Sequence, residues 1–414
     1  MIYVDNGATT FPKPKTVTDK IMECSLGYAG NPGRSGHKLA MKMDSEIYEA
    51  REKICKLING TEPLNVIFTF NGTDSLNLAI KGVLKKGDHV ITTSMEHNSV
   101  LRPLNQMKKD GIIDLSIVYA DKQGYVNPQK VCEAVAPNTK MIVTTHVSNV
   151  FGTIVDIKSI GTFCKENNIL FLVDAAQSIG VLDIDVQDMN IDLLAFPGHK
   201  ALFGTMGTGA LYIKEGITVK PLKQGGTGSY SHSIDQPELY PDSLESGTPN
   251  GIGIVALSKG IDFINEVGLE NIRNHEMKLK NHFIDLLKGN EDIILYGTLD
   301  DRQSAVVSLN VKDMDSSEVS YILSDEFDIY TRPGFHCAQE PLNIRMLCKT
   351  QRPSKTQQGS LLPTTLSHPY PAFPEMLPTD SSPPWHKLPQ RLLSDIRFYC
   401  FFSQIAFPQS KSPQ

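Results

Sequence analysis

Lys200 follows an apolar run and could act as a nucleophile toward an aldehyde. Lys200 follows Phe196-Pro197-Gly198-His199 and precedes a glycine-rich segment at 204–209. A lysine held at a strand end beside a cavity can lose its proton by desolvation and form a Schiff base with an aldehyde cofactor. Taken alone, Lys200 is better interpreted as a solvated loop lysine, because lysine side chains are mostly exposed.

A second candidate is Asp174, the last residue of the apolar run at 169–174. Pyridoxal 5′-phosphate (PLP) needs a carboxylate against its pyridine nitrogen, since the protonated ring is the electron sink for a substrate carbanion. Asp174 fits that position. An aspartate at a strand end could equally cap the next helix or bind magnesium, and the residue alone leaves these interpretations about even.

Two further segments follow apolar runs. Gly72 and Thr73 stand at a strand-to-helix junction, where backbone N–H groups, the helix dipole and a hydroxyl suit a cofactor phosphate. An ordinary N-cap with a glycine turn is the alternative. His97 follows the run at 89–93 and could stack on a planar ring, although a lone histidine there is more often structural.

The elements that must position these residues alternate along the chain. Short runs rich in β-branched residues, separated by helix-period segments, predict a buried and largely parallel sheet with helices on both faces. A ligand should then lie at the carboxyl ends of the strands. The predicted strands are 66–70, 89–93, 114–119, 141–146, 169–174 and 192–196, and the predicted helices are 73–84, 97–109, 128–136 and 157–168.

A second pattern begins near residue 250, with helices predicted at 251–267, 270–288 and 316–325 and a strand at 304–311. We expect a small α+β domain there. Twelve of the 25 prolines fall after residue 340, which predicts an irregular tail. The predicted organisation is an N-terminal arm (1–20), a large cofactor-binding domain (21–250), an incomplete small domain (251–338) and the Pro-rich tail (339–414).

Composition narrows the function classes. The net charge of −6 has no basic block that could neutralise a row of phosphates, so nucleic acid is not an expected partner. No apolar run reaches membrane-spanning length and the first residues do not resemble a signal peptide, so we expect a cytoplasmic protein without a membrane partner. The seven cysteines form no C-x-x-C pair and predict reduced thiols rather than a metal site.

From Tyr3 to Ala338 the sequence resembles the cysteine desulfurases of the class V aminotransferase fold, in particular the selenocysteine lyase-like group. The resemblance rests on ten motifs in the family's order: YVDNGATT (3–10), NPGRSGH (31–37), NGTDSLN (71–77), SMEHNS (94–99), HVSNVFGT (146–153), VDAAQS (173–178), FPGHK (196–200), GTGALYI (207–213), ESGTPN (245–250) and RPGFHCA (332–338). It implies the fold type I architecture of PLP-dependent transferases, with a mostly parallel seven-stranded sheet.

The resemblance also implies a role for each matching residue. Lys200 would carry PLP, Asp174 would pair with the pyridine nitrogen and His97 would stack on the ring. Gln177 would bond the phenolic oxygen of PLP. The cofactor phosphate would be bound by Gly72, Thr73 and His199. In a homodimer, Ser246 or Thr248 would reach the phosphate of the other subunit. The substrate carboxylate would be bound by Asn149 and Arg332. Pro197 departs from the family, because many relatives carry a serine or threonine there.

The implied reaction converts L-cysteine to L-alanine and leaves sulfur as a persulfide on Cys337, for transfer to an acceptor protein in iron–sulfur cluster assembly or another pathway. Cys337 shares a loop with Arg332, and His336 stands beside it to favour ionisation of the thiol. A buried structural cysteine is the alternative. Two other functions stay open: a selenocysteine or cysteine-derivative lyase, and a PLP-fold binding protein whose catalysis is impaired by the atypical tail.

Overall fold

The computed structural model describes residues 1–33, 36–229 and 232–334. Its strands in chain order are β1 (Ile2–Tyr3), β2 (Val66–Thr69), β3 (Asp88–Thr93), β4 (Ile113–Val118), β5 (Thr139–Thr145), β6 (Leu170–Asp174), β7 (Leu193–Pro197), β8 (Gly209–Ile213), β9 (Ile293–Tyr296), β10 (Ser308–Val311) and β11 (Ile329–Tyr330). Its α-helices are α1 (Lys15–Gly27), α2 (Lys38–Leu57), α3 (Gly72–Val83), α4 (Asn98–Lys109), α5 (Pro128–Glu133), α6 (Ile157–Glu166), α7 (Gly251–Val267), α8 (Leu269–Leu287) and α9 (Ser316–Phe327).

A seven-stranded sheet forms the centre of the molecule, in the order β2-β8-β7-β6-β5-β3-β4. The five strands from β7 to β4 are parallel to one another, whereas β8 runs antiparallel to both β2 and β7. Two large apolar clusters cover the sheet, because its inner strands are buried on both faces. The predicted mostly parallel α/β sheet of fold type I is confirmed.

Capping side chains fix where the helices begin. Asn71 accepts a hydrogen bond from the N–H of Asp74 and starts α3, and Asn250 does the same for Gly253 at the start of α7. Asp156 caps α6 in the same way. The caps start α3 shortly after the end of β2 and α7 directly after the loop that contains Ser246 and Thr248.

The C-terminal part of the described chain has its own apolar cluster, which includes Phe283, Val319 and Ile329. Here β9 and β10 pair as an antiparallel hairpin. The chain's first strand also belongs to this part: β1 pairs in parallel with β11, Ile2 opposite Ile329. The segment predicted as an N-terminal arm therefore contains a strand of the small domain and the start of α1.

The strand predicted at 304–311 is shorter in the structure, where only Ser308–Val311 is paired. The preceding residues pack differently, because Gln303 is fully buried and its side chain bonds to the backbone of Leu299 and Val306. Among the described cysteines, Cys24, Cys55 and Cys164 are buried and unpaired. The predicted tail and Cys337 lie outside the described residues. No described helix is both long and apolar enough to cross a bilayer.

Candidate active site

The candidate residues collect at one edge of the sheet because they follow the carboxyl ends of its strands. Asp174 is the last residue of β6, Lys200 comes three residues after β7, and His97 comes four residues after β3. Thr73 lies in the first turn of α3, next to the end of β2. Parallel strands bring these ends to a common edge, as the sequence predicts.

Lys200 lies close enough to three of the predicted residues to act on their ionisation. Its charge lowers the pKa of Asp174, His97 and His199. The side chain is only partly exposed. The structure therefore brings the predicted cofactor lysine together with the predicted ring and phosphate contacts.

Asp174 is almost fully buried, and burial raises the pKa of its carboxyl, opposed by the N–H of Ala176 and by the charge of Lys200. That N–H lies 2.9 Å from Oδ1, and no other donor among the described residues bonds the carboxylate. One oxygen is left for a cationic partner. The protonated nitrogen of a pyridine ring is a partner of the right charge.

His97 caps α4 and also faces Lys200. Its Nδ1 accepts from the N–H of Ser99 at 3.1 Å and lies 2.8 Å from the Ser99 hydroxyl. Burial, followed by the charges of Lys200 and Arg332, lowers the pKa of the ring to about 4. The ring is therefore neutral near pH 7 and fixed in orientation, which suits stacking on a planar cofactor.

The start of α3 offers a cradle for a phosphate. First-turn N–H groups have no acceptor within a helix, and Thr73 Oγ1 lies 2.6 Å from the hydroxyl of Ser99. A Cβ at Gly72 would lie 3.2 Å from Pro197 Cδ, so glycine lets the helix start approach β7. Ser99, which the sequence did not single out, adds a hydroxyl where Pro197 lacks one.

His199 supplies an observation that tests the fit of PLP. Its Nδ1 is buried and bonds to no other described residue, while burial and the charge of Lys200 lower the pKa of the ring to about 4. A buried ring nitrogen without a partner is costly unless a ligand bonds it. A phosphate oxygen beside Thr73 and His199 would satisfy it, so the described donors fit PLP.

The N-terminal segment is a part of the site to which the sequence assigned no role. Thr10 donates from its hydroxyl to the carbonyl of Lys200 at 2.7 Å, and Lys13 Nζ donates to the carbonyl of His199 at 2.7 Å. Gln177 Nε2 donates to the carbonyl of Gly7 at 3.0 Å. The motif YVDNGATT signalled this segment, although nothing in its spacing revealed these contacts.

Arg332 reaches the same site from the end of β11. Its charge lowers the pKa of both His97 and Asp5, although burial dominates at Asp5 and leaves that pKa raised. Arg332 is exposed and can meet a substrate carboxylate. Asn149 is half-buried in the turn after β5, and its contact with substrate stays a prediction.

Ser246 and Thr248 lie on a loop at the rim. The Ser246 hydroxyl donates to the carbonyl of Lys223 at 3.3 Å and accepts from Gln236 at 2.9 Å. Lys223 in turn pairs with Asp74 at 3.4 Å, near the start of α3. The loop thus borders the phosphate cradle, and its reach to another subunit stays a prediction. The described residues contain no cluster suited to a metal ion.

Comparisons with known proteins agree with this geometry. The aminotransferase class-V family model matches residues 2–356, beyond residue 338 where the motifs end. A probable cysteine desulfurase of Methanothermobacter thermautotrophicus is 35% identical over 344 residues, covering 81% of this chain and 84% of that protein. Cysteine desulfurase IscS of Clostridium botulinum is 33% identical over 370 residues, covering 87% and 88%.

Solved structures give the same result. The apo structure of a cysteine desulfurase from Thermococcus onnurineus matches with a TM-score of 0.77 at 33% identity, covering 84% of this chain and 86% of that one. The cysteine desulfurase CsdA of Escherichia coli matches with a TM-score of 0.74 at 26% identity, covering 82% and 86%.

Proposed function

The chain belongs to the class V aminotransferase family and, within it, to the cysteine desulfurases, and we propose that it converts L-cysteine to L-alanine and retains the sulfur as a persulfide on Cys337. The enzyme is PLP-dependent. The observation that carries the proposal is the convergence of Lys200, Asp174 and His97 at one sheet edge, where the charge of Lys200 acts on both other side chains.

The described residues divide the work around the cofactor. When bound, PLP supplies an electron sink for negative charge at the substrate α-carbon. The carboxylate of Asp174 would keep the ring nitrogen protonated, and the neutral ring of His97 would stack on the cofactor ring. Thr73, the first-turn N–H groups of α3 and His199 would hold the phosphate.

Lys200 Nζ is the base of the reaction. In its neutral form it takes the proton from the substrate α-carbon, and after sulfur transfer its ammonium group returns a proton. The carbonyls on either side of its Cα are fixed by Thr9, Thr10 and Lys13, at distances of 3.1, 2.7 and 2.7 Å. Because the backbone is anchored, the side chain can carry protons without moving the loop.

Sulfur transfer is assigned to Cys337. Its thiolate Sγ attacks the substrate sulfur, the Cβ–sulfur bond breaks, and the electron pair stays on the substrate carbon, which takes a proton and becomes the methyl group of alanine. Arg332 holds the substrate carboxylate with a planar guanidinium that can bond both oxygens.

A homodimer and a sulfur-acceptor protein belong to the same proposal. As the family resemblance implies, Ser246 or Thr248 would reach the phosphate bound by the other subunit, and their loop lies at the rim of the site beside α3. A separate acceptor protein would remove the sulfur from Cys337.

The test is to incubate the full chain with PLP and L-cysteine and to measure alanine and persulfide. We expect Lys200→Ala and Cys337→Ala each to abolish persulfide, whereas Cys132→Ala, which changes a partly exposed cysteine of α5, should turn over like the wild type.

Two outcomes would contradict the proposal. Turnover of selenocysteine or cysteine sulfinate that survives Cys337→Ala, without persulfide from cysteine, would indicate a lyase of the same fold. Binding of PLP without any alanine would indicate a catalytically impaired protein.

A further inference from the structure

Glu96 is a buried carboxyl group that the proposed function does not use. The residue precedes His97 and has an exposed fraction of 0%. No lysine or arginine of the described chain forms an ion pair with it. A buried carboxylate without a cation is costly, so the location of Glu96 needs an explanation.

The carboxyl group lies where two central strands separate. The pairing of β3 with β5 ends at Ile91 and Ile142, although β3 continues to Thr93 and β5 to Thr145. Glu96 Oε1 accepts from the Thr93 hydroxyl at 2.6 Å, and the backbone of Thr145 also bonds the carboxyl group. Glu96 therefore closes the gap between the two strand ends, beside β6.

The other oxygen of Glu96 has no partner. Oε2 is buried and no described donor bonds it, and Nδ1 of His146, the residue that follows Thr145, is likewise buried and unbonded. The charged group that faces Glu96 from β6 is Asp174. Lys200 acts on Asp174 and His97, and His146 after β5 is kept neutral by burial, which lowers its pKa to about 4.

Burial and the charge of Asp174 act on Glu96 in the same direction. Burial is the larger cause and the carboxylate of Asp174 adds to it, so the pKa of Glu96 rises to about 8 even though Thr93 and Thr145 donate hydrogen bonds to it. The carboxyl group is then neutral at pH 7. A second ionised carboxylate here would also raise the pKa of Asp174.

We propose that Glu96 holds a proton in the gap between β3 and β5 and acts as a positioning residue for Asp174, so that Asp174 alone supplies a negative charge to the ring nitrogen of the cofactor. This inference rests on the proposed function in one respect, namely that Asp174 pairs with the ring nitrogen of PLP. A neutral Glu96 lets Asp174 stay ionised. The side chain of Glu96 also fixes the end of β3 through its hydrogen bond with Thr93.

The first experiment uses the full-length chain without PLP. The difference infrared spectrum between the wild type and Glu96→Gln should contain the C=O stretch of a protonated carboxyl group at pH 7. The melting temperature of the wild type should also fall more steeply from pH 5 to pH 8 than that of Glu96→Gln, because over this range the unfolded chain releases a proton that the folded chain keeps.

Glu52→Gln changes an exposed glutamate of α2 and should match the wild type in both measurements. A carboxylate signal in place of the C=O stretch, or parallel melting profiles for Glu96→Gln and the wild type, would overturn the proposal.

The second experiment measures the affinity for PLP by following the absorbance of the bound cofactor during a titration. Glu96→Ala leaves the donors of Thr93 and Thr145 unpaired and should weaken PLP binding about tenfold. Glu96→Gln is neutral and of the same shape, and should restore most of that loss. Failure of Glu96→Gln to improve on Glu96→Ala would show that a negative charge is needed and would contradict the inference.

The infrared and melting measurements involve neither PLP nor cysteine. A chain that forms no alanine but shows the protonated carboxyl group would contradict the proposed function and leave the protonation of Glu96 supported. Alanine formation together with an ionised Glu96 would support the proposed function and contradict the protonation of Glu96.

Discussion

His97 combines two tasks that compete in most histidines. As the N-cap of α4 it must accept a hydrogen bond at Nδ1, and as a ring beside Lys200 it must stay neutral. A neutral imidazole with an unprotonated Nδ1 meets both requirements. The capping role is therefore observed, and it is compatible with the proposed stacking of this histidine on the cofactor.

The buried His146 predicts an acid-sensitive fold. Burial lowers the pKa of its ring to about 4, below the ordinary value of 6.5 in the unfolded chain. Between these values the unfolded chain binds a proton that the folded chain does not, so stability is lost as the pH falls from about 6.5 to about 4. The loss from this residue should approach roughly 3 kcal/mol.

Melting temperatures of His146→Leu and the wild type across this pH range test the prediction. The variant should lose less stability on acidification, whatever its stability at pH 7. His282→Gln changes an exposed histidine of α8 and should keep the wild-type slope. An unchanged slope in His146→Leu would show that other groups cause the acid sensitivity.

At the scale of elements, α7 and the loop that carries Lys200 are in direct backbone contact. A Cβ on Gly260 would lie 2.0 Å from the carbonyl oxygen of Leu202. Leu202 is fully buried, and the N–H of Phe203 bonds the carbonyl of Lys200 at 2.9 Å. The helix therefore supports the loop from behind.

Gly260→Ala should push α7 away from this loop, because a backbone carbonyl cannot yield as a flexible side chain would. We expect a loss of about 1–3 kcal/mol in the free energy of unfolding and weaker PLP binding. Urea unfolding and a PLP titration measure the two effects. Gly27→Ala, where a Cβ meets nothing within 4 Å, is the matched control and should change stability by less than about 1 kcal/mol. Equal behaviour of the two variants would disprove the contact.

The sequence predicts the strand-end residues because residue type and position suffice for them. Asp174 and Lys200 each follow a long apolar run, and parallel strands must bring their ends together. The gap that Glu96 fills could not be predicted, since local periodicity does not show where two strands stop pairing. The same holds for β1, because a two-residue strand has no periodicity to detect.

At the scale of the whole molecule, one N-terminal segment joins the two halves of the site. The N–H of Val4 donates to the carbonyl of Tyr330 at 3.1 Å, two residues before Arg332. A few residues later, Thr10 bonds the carbonyl of Lys200 at 2.7 Å. The separation of Arg332 from Lys200 is therefore set through this segment.

Val4→Pro removes the N–H that bonds Tyr330 and should loosen Arg332 more than Lys200. Losing one such bond costs about 1 kcal/mol, so KM for L-cysteine should rise about fivefold while the Kd for PLP changes little. Steady-state kinetics and a PLP titration separate the two effects. Val4→Thr keeps the N–H and a β-branched side chain, and an equal KM in both variants would refute the coupling.

The pairing of Ile2 with Ile329 has a consequence for the order of assembly during synthesis. The first strand leaves the ribosome long before its partner exists, and the central sheet can form in the interval. A contact between such distant positions closes late, because the intervening chain must already be ordered. The nascent large domain can thus form its phosphate cradle early, whereas the complete substrate pocket must wait for nearly the whole described chain to be translated.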